Sequence, residues 1–430
     1  MEQRASGLLL PVFSLPGPWG VGTFGRQARQ FVDFLADAGQ RWWQILPLEP
    51  IGPGNSPYMS PSAFEGNPLF LDLEELVDQG LLTAAEADSA RLDCPDRVDY
   101  DRLRAVRVPL LELAARRAGQ PDFLQAEFAR QWAALKAYAN GKGVSLLGDL
   151  PIYVSPNGRE VTDHPELFQL DARGRPARVA GVPPDAFSDV GQLWGNPLYD
   201  WQGSRTAVFD WWARRIRRAA GLYDAVRIDH FRAFHTYWSV PAGASDARAG
   251  RWEPGPGQAL VDHLRASAPG LALIAEDLGD LDENARAFIE RSGVPGMKVM
   301  VYAFDPDGDS AYLPHNCTRN SVIYTGTHDT PTFVQWLFSQ ADARQRAFAM
   351  EYLCLREEEG FGWGAVRGAW ASPCALAIAP LQDVLGLGGD ARVNTPGTMG
   401  PHNWSWRVRA EALNPGVAGR LRHLTQLYRR

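Results

Sequence analysis

Apolar residues come in short continuous runs along this chain, and segments with helical spacing separate them. The first run is GLLLPVF (7–13). After a Gly/Pro-rich turn, Phe24, Ala28, Phe31 and Leu35 recur at intervals of three and four, which predicts a helix stopped at Gly39. RWWQILPL (41–48) is a second run. It barely alternates, as expected of a strand buried on both faces of a parallel sheet. Further runs are VSLLGDLPIYV (144–154), DAVRIDHF (224–231), LALIAEDL (271–278), MKVMVYAF (297–304), SVIYTGTHD (321–329) and CALAIAPLQDVL (374–385). Helices are expected near 206–220, 257–267, 282–292, 331–358 and 415–428.

Eight strands alternating with helices are what a (β/α)8 TIM barrel needs. An open doubly wound sheet would place G-x-G-x-x-G between an early strand and a helix, and none is there. The expectation is therefore an α/β protein, with one catalytic barrel domain over 1–430. Three stretches exceed ordinary connections. The Pro/Gly/Ser segment 49–68 is long enough to be functional. Residues 69–143 read as an inserted, mostly helical subdomain, with Thr83 and Glu86 at capping-box spacing. Residues 155–204 read as a loop insertion covering the cleft, on the C-terminal face of the strands.

Composition narrows the picture. Hydrophobic residues make up 45% of 430 residues, so disorder is not expected. The net charge of −7 argues against a nucleic-acid binder. Four cysteines (Cys94, Cys317, Cys354, Cys374) match no zinc or redox spacing and point to a reducing cytoplasm. The amino-terminal apolar run is too short for a signal peptide or membrane span. Tryptophan is abundant at 15, and Trp19, Trp194, Trp252, Trp363 and Trp404 fall in Gly/Pro-rich stretches. Flat rings in surface loops are suited to packing against the C–H faces of sugars.

Carboxylates gather where such a barrel holds its chemistry, at the C-terminal ends of strands. Asp149 follows VSLLG, Asp229 follows AVRI, Glu276 and Asp277 follow LALIA, Asp305 follows MVYAF, and Asp329 follows VIYTGTH. Converging negative charges repel, so stability does not explain the pattern. Two chemistries would use an acidic mouth: a divalent metal site with oxygen ligands, or glycoside chemistry with paired carboxylates. Arg227 lies two residues before Asp229, hence on the same strand face, where it would hold the carboxylate ionised. That favours the sugar chemistry.

The chain resembles the amylomaltases, the 4-α-glucanotransferases or disproportionating enzymes of the α-amylase-like barrel group. The resemblance rests on SGLLLPVFSLPGPWGVGTFG (6–25), WWQILPLEP with NSPYMSPSAFEGNP (42–68), GDLPIYV (148–154), VPPDAFSDVGQLWGNPLYDW (182–201), VRIDHFRAF (226–234), IAEDLG (274–279), GMKVMVYAF (296–304), YTGTHD (324–329), and NTPGT with NWSWR (394–407). It implies Asp229 as nucleophile, Glu276 as general acid/base and Asp329 as a third carboxylate that orients sugar hydroxyls. Arg227 would stand beside the nucleophile. His328 and Asp149 would hydrogen-bond the reacting sugar, and Tyr58 would stack beneath it. Asp185, Phe187, Gly191 and Trp194 become candidate glucan contacts, as do Asn394, His402 and Asn403.

The implied reaction is retaining transfer of α-1,4-glucan segments from a donor maltooligosaccharide to the 4-hydroxyl of an acceptor, through a glucosyl-enzyme. No cofactor, metal ion, nucleic acid, membrane or protein partner is expected. A retaining α-glucan hydrolase on the same fold, a non-catalytic glucan-binding protein and a metal-dependent barrel enzyme remain the alternatives. Two departures from the family stand out. The stretch between Tyr58 and Asp149 is shorter than in many members, and Thr330-Pro331-Thr332 follows Asp329 where many carry Asn-Asp.

Overall fold

The computed structural model describes residues 3–184, 188–279 and 281–430. In chain order its strands are β1 (Ala5–Leu9), β2 (Trp42–Gln44), β3 (Ser145–Leu150), β4 (Arg178–Val182), β5 (Gln192–Pro197), β6 (Ala225–Ile228), β7 (Thr236–Pro241), β8 (Arg251–Pro254), β9 (Ala272–Ala275), β10 (Gly296–Val299), β11 (Ser321–Tyr324) and β12 (Leu376–Pro380). Eight of them close a barrel in the order β1-β12-β11-β10-β9-β6-β3-β2. Each of the eight apolar runs supplies one strand, and the ring follows chain order, as a parallel (β/α)8 barrel requires. The strands are shorter than the runs. LALIAEDL, for example, pairs only through Ala272–Ala275 before turning out.

The chain divides into two compact units. The first comprises 1–48, 66–147 and 298–430. In it β1 pairs in parallel with β12 on one side and β2 on the other. All five residues of β1 and of β12 are buried, which explains why both read as unbroken apolar runs. Gly7 is required by this packing, since a Cβ there would run into the Trp42 carbonyl. The helix Arg26–Asp37 buries Ala28, Phe31, Val32, Phe34 and Leu35, and Phe31 meets Trp43 edge-on at 5.1 Å. Between β2 and β3 lie the helices Leu73–Asp78, Ala84–Asp88, Tyr100–Ala118 and Phe123–Gly141. The capping box forms: the Thr83 hydroxyl accepts from the Glu86 N–H at 3.2 Å, and Glu86 Oε2 accepts from the Thr83 N–H at 2.8 Å.

The second unit comprises 49–65 and 148–297. Its β6 and β9 pair in parallel, with Arg227 beside Ile274 and Ile228 beside Ala275. The helix Arg205–Leu222 buries Trp211 and Trp212. Arg215 lies over both indoles, at 4.9 and 4.7 Å, and donates to the Pro151 carbonyl at 2.7 Å, fastening the helix to the segment after β3. One feature departs from the sequence reading. Parts of 155–204 and of the loop holding Trp252 are not irregular; they form an antiparallel sheet in the order β5-β4-β7-β8. Its strands carry Gly181 and Gly195 and end in Pro197, Pro241 and Pro254. Those residues ordinarily mark turns, so the period-2 signal was broken.

The tryptophans also need correcting. Trp19 and Trp404 are buried, and Trp363 lies in the helix Phe361–Ala371 with Arg420 over its ring. Of the five, Trp252 is the most open, at 40% exposure, and Trp194 is half-buried. Among the described residues no helix is long and apolar enough to cross a membrane.

Candidate active site

In the second unit the ends of β3, β6 and β9 bring their polar side chains together. Asp229 and Glu276 are the residues just past the last β6–β9 pair, Ile228 and Ala275. The Asp229 N–H donates to the Leu150 carbonyl at 3.1 Å and the Glu276 N–H to the Ile228 carbonyl at 3.0 Å. Arg227 serves three acids. Its Nη1 donates to both Asp149 oxygens, at 2.9 and 2.6 Å, while Nη2 lies 3.0 Å from Asp229 Oδ1 and 4.0 Å from Glu276 Oε2. Tyr58 donates its hydroxyl to Asp149 Oδ2 at 2.8 Å. Gly148 makes room here: a side chain would collide with the Tyr223 ring.

His230 follows Asp229 in the left-handed region, with φ 50°, a conformation histidine adopts more readily than most non-glycine residues. The turn aims its N–H at Glu276 Oε2, 2.7 Å away, while the Leu278 N–H reaches Oε1 at 2.8 Å. Burial pushes the Glu276 carboxyl above its ordinary range; Arg227 and the two peptide donors oppose this, and Asp277 adds to it. Burial would lower Arg227, but Asp149 foremost, then Asp229, Tyr58 and Glu276, carry it well above its usual value. Burial drives His230 down to about 4, so its ring is neutral. The Trp194 indole meets that ring edge-on at 4.9 Å. The side-chain exposures grade accordingly: Asp149 0%, Arg227 5%, Glu276 11% and Asp229 28%. Of these three carboxylates the most open, Asp229, is the one proposed to attack.

In the first unit the loop after β11 carries His328 and Asp329. His328 is buried, and its Nε2 lies 3.4 Å from Asp329 Oδ2; the Asp329 side chain is 41% exposed. Asn394 donates its amide to Asp329 Oδ1 at 2.6 Å, and its N–H donates to the His328 carbonyl at 3.0 Å. Arg392 donates to the Asp329 carbonyl at 2.6 Å. Thr330 closes the turn, its hydroxyl accepting from the Thr327 N–H at 2.8 Å. Asn403 serves its own loop: it accepts from the Thr395 N–H at 3.1 Å and donates to the Thr398 carbonyl at 3.0 Å. His402 is exposed, and its carbonyl accepts from Ser405.

Asp185 and Phe187 lie outside the described residues. Gly191 forms a turn at φ 68° just before β5. Asp305 sits in an exposed turn, accepting from the Asp307 N–H at 3.0 Å. Asp277 is buried and accepts from the Met297 N–H at 2.7 Å, in keeping with a structural role.

Three residues escaped the sequence reading. Glu49 stands one residue past the LPL end of the second run, so the strand-end pattern could have found it. It is buried, Oε2 has no hydrogen-bond partner among the described residues, and desolvation lifts its carboxyl to about 7 against Arg218 and Arg215. Arg392 gave no signal beyond being an arginine in a Gly-rich loop. Asp383 was hidden inside a run read as strand through 385.

A sequence profile described as 4-alpha-glucanotransferase matches residues 10–122 and 119–413. The two segments meet at the turn between the helices Tyr100–Ala118 and Phe123–Gly141. The 4-alpha-glucanotransferase of Clostridium butyricum is 37% identical over 484 aligned positions, covering 97% of this chain and 99% of that protein. That of Thermus thermophilus is 39% identical over 501 positions, covering 98% of each. Among solved structures, the amylomaltase of Streptococcus agalactiae in complex with acarbose superposes with a TM-score of 0.95 at 36% identity, covering all of both chains. With the profile spanning most of the sequence and relatives aligned over nearly their whole lengths, the chain is an enzyme of the 4-alpha-glucanotransferase family.

Proposed function

We propose that this enzyme moves α-1,4-glucan segments between maltooligosaccharides by a retaining double displacement, with Asp229 as nucleophile, Glu276 as general acid/base and Asp329 as the third carboxylate. The observation that carries the reading is the single guanidinium nitrogen, Arg227 Nη2, within 3.0 Å of Asp229 and 4.0 Å of Glu276. Two carboxyl groups sharing one nitrogen are compatible with the ~5–5.5 Å spacing of retaining pairs.

Protonated Glu276 gives its proton to the glycosidic oxygen as an Asp229 oxygen bonds to the anomeric carbon. The C–O bond breaks, its electron pair stays with the leaving sugar, and a glucosyl ester forms on Asp229. Glu276, now a carboxylate, takes the proton of an incoming 4-hydroxyl. That oxygen attacks the anomeric carbon and Asp229 is released. Each Glu276 oxygen already accepts one peptide N–H and keeps a second lone pair for the proton. Arg227 stabilises the negative charge of Asp229 between turnovers, and Asp149, bonded to Arg227 and Tyr58, fixes that arginine in place.

Maltotriose is the discriminating substrate. Transfer gives glucose and a ladder of longer maltooligosaccharides, and Asp229→Asn abolishes both. A product mixture of glucose and maltose alone would sink transfer in favour of hydrolysis. Binding without turnover, unchanged in Asp229→Asn, would leave only a glucan-binding protein.

A further inference from the structure

The β11 loop is held at its tip by Arg392 and Asn394, but its two ends converge on a different side chain. Asp383 lies just past β12, in the short helix Leu381–Val384, and is wholly buried. Its Oδ2 accepts from the Thr325 hydroxyl at 2.5 Å, where the chain leaves β11. Its Oδ1 accepts from the Phe333 N–H at 2.7 Å, where the next helix begins. One carboxyl therefore spans the entry and exit of the segment that bears His328 and Asp329. Within the loop, Thr330 closes on Thr327, Thr332 caps the helix by accepting from the Gln335 N–H at 3.1 Å, and the His328 ring lies 6.0 Å from that of Trp404. A cavity lined by Thr327, His328, Thr330, Thr332, Gln382 and Arg392 adjoins the loop. With space on that side, the ties at the two ends of the loop share with those at its tip in setting where it stands.

We propose that Asp383 is a positioning residue for glucan transfer: by clasping Thr325 and Phe333 it sets where His328 and Asp329 stand. The proposal rests on the assignment of Asp329 as a catalytic carboxylate. Asp383 touches no substrate, because no part of it reaches solvent. Its chemistry predicts which replacement restores function. Asparagine can accept the Phe333 N–H through its carbonyl and donate its amide to the Thr325 hydroxyl, which rotates to accept. Alanine loses both ties and leaves the Phe333 N–H without its partner.

The test compares Asp383→Ala, Asp383→Asn and Thr325→Val with wild type. It measures kcat and KM on maltotriose, thermal unfolding, and the number of maltotriose sites by calorimetry, so that turnover is expressed per competent site. A misplacement near 1 Å at reacting groups costs roughly 10²-fold, so Asp383→Ala should lose about 10- to 100-fold in kcat per site with KM within about threefold, and Asp383→Asn should return to within about threefold of wild type. Wild-type kcat per site in Asp383→Ala, or an Asp383→Asn as poor as Asp383→Ala, overturns the proposal. Where Asp383→Ala does not fold, Thr325→Val reads the same tie: a several-fold fall in kcat supports it and an unchanged kcat overturns it. Asp329→Asn run alongside separates the two assignments. Full activity there removes the catalytic reading of Asp329 itself, whereas an inactive Asp329→Asn beside an unaffected Asp383→Ala removes only the positioning role.

Discussion

Arg227 Nη1 straddles the Asp149 carboxylate, at 2.9 and 2.6 Å, and this frees Nη2 for Asp229. The division of labour depends on the planar fork of arginine. Lysine lacks the fork, and its single ammonium cannot occupy the positions of both Nη1 and Nη2 at once. Arg227→Lys should fold but lose about 10²-fold in kcat, because Asp229, the proposed nucleophile, is no longer oriented. Arg227→Met should also lose stability, roughly 3–5 kcal/mol, since Asp149 is left buried without its cation. Thermal unfolding and initial rates on maltotriose check both, and wild-type turnover in Arg227→Lys would exclude the shared nitrogen from catalysis.

If Glu276 is the proposed general acid, its raised carboxyl should set the alkaline side of the pH profile. The proposed first step uses Glu276 protonated, so kcat/KM should fall as pH rises through its elevated value. Glu276→Gln should lose roughly 10²–10⁴ in rate and show no alkaline limb from this group. A profile whose alkaline limb survives in Glu276→Gln would assign that limb to another residue.

Glu49 makes the fold pH-sensitive. Its folded value of about 7 lies above its ordinary 4.5, so the folded state holds the proton more tightly. The contribution to stability is complete below pH ~4.5 and is lost as pH rises through about 7, at full ionisation amounting to roughly 3 kcal/mol. Glu49→Gln should therefore flatten the fall in Tm between pH 5 and pH 8. Parallel slopes in the two proteins would show that Glu49 ionises without penalty.

Tyr58 joins a ring to a hydroxyl that donates to Asp149. Tyr58→Phe removes only the hydrogen bond, worth about 1.5–3 kcal/mol when the acceptor is charged, and should lower kcat/KM less than Tyr58→Ala, which also removes the ring proposed to stack beneath the sugar. Equal losses in the two variants would place the whole effect in the hydroxyl.

The alternation of apolar runs with helical spacing by itself determined the eight barrel strands, since burial on both faces leaves an unbroken apolar signature that needs no tertiary knowledge. The placement of Arg227 two residues before Asp229 fixed them on one strand face by the period of a strand. Family likeness supplied the roles offered for Glu276, Asp329 and Tyr58, which composition alone left open. Tertiary structure decided the rest. Which acids Arg227 serves depends on register between β6 and β9 and on the end of β3, distant segments whose pairing no local pattern encodes. The antiparallel sheet β5-β4-β7-β8 was illegible because glycines and prolines interrupt its strands. Asp383 and Arg392 were invisible for a related reason: each acts on a backbone group or hydroxyl fifty or more residues away, and a single charged residue in a chain carries no mark of the partner that folding brings to it.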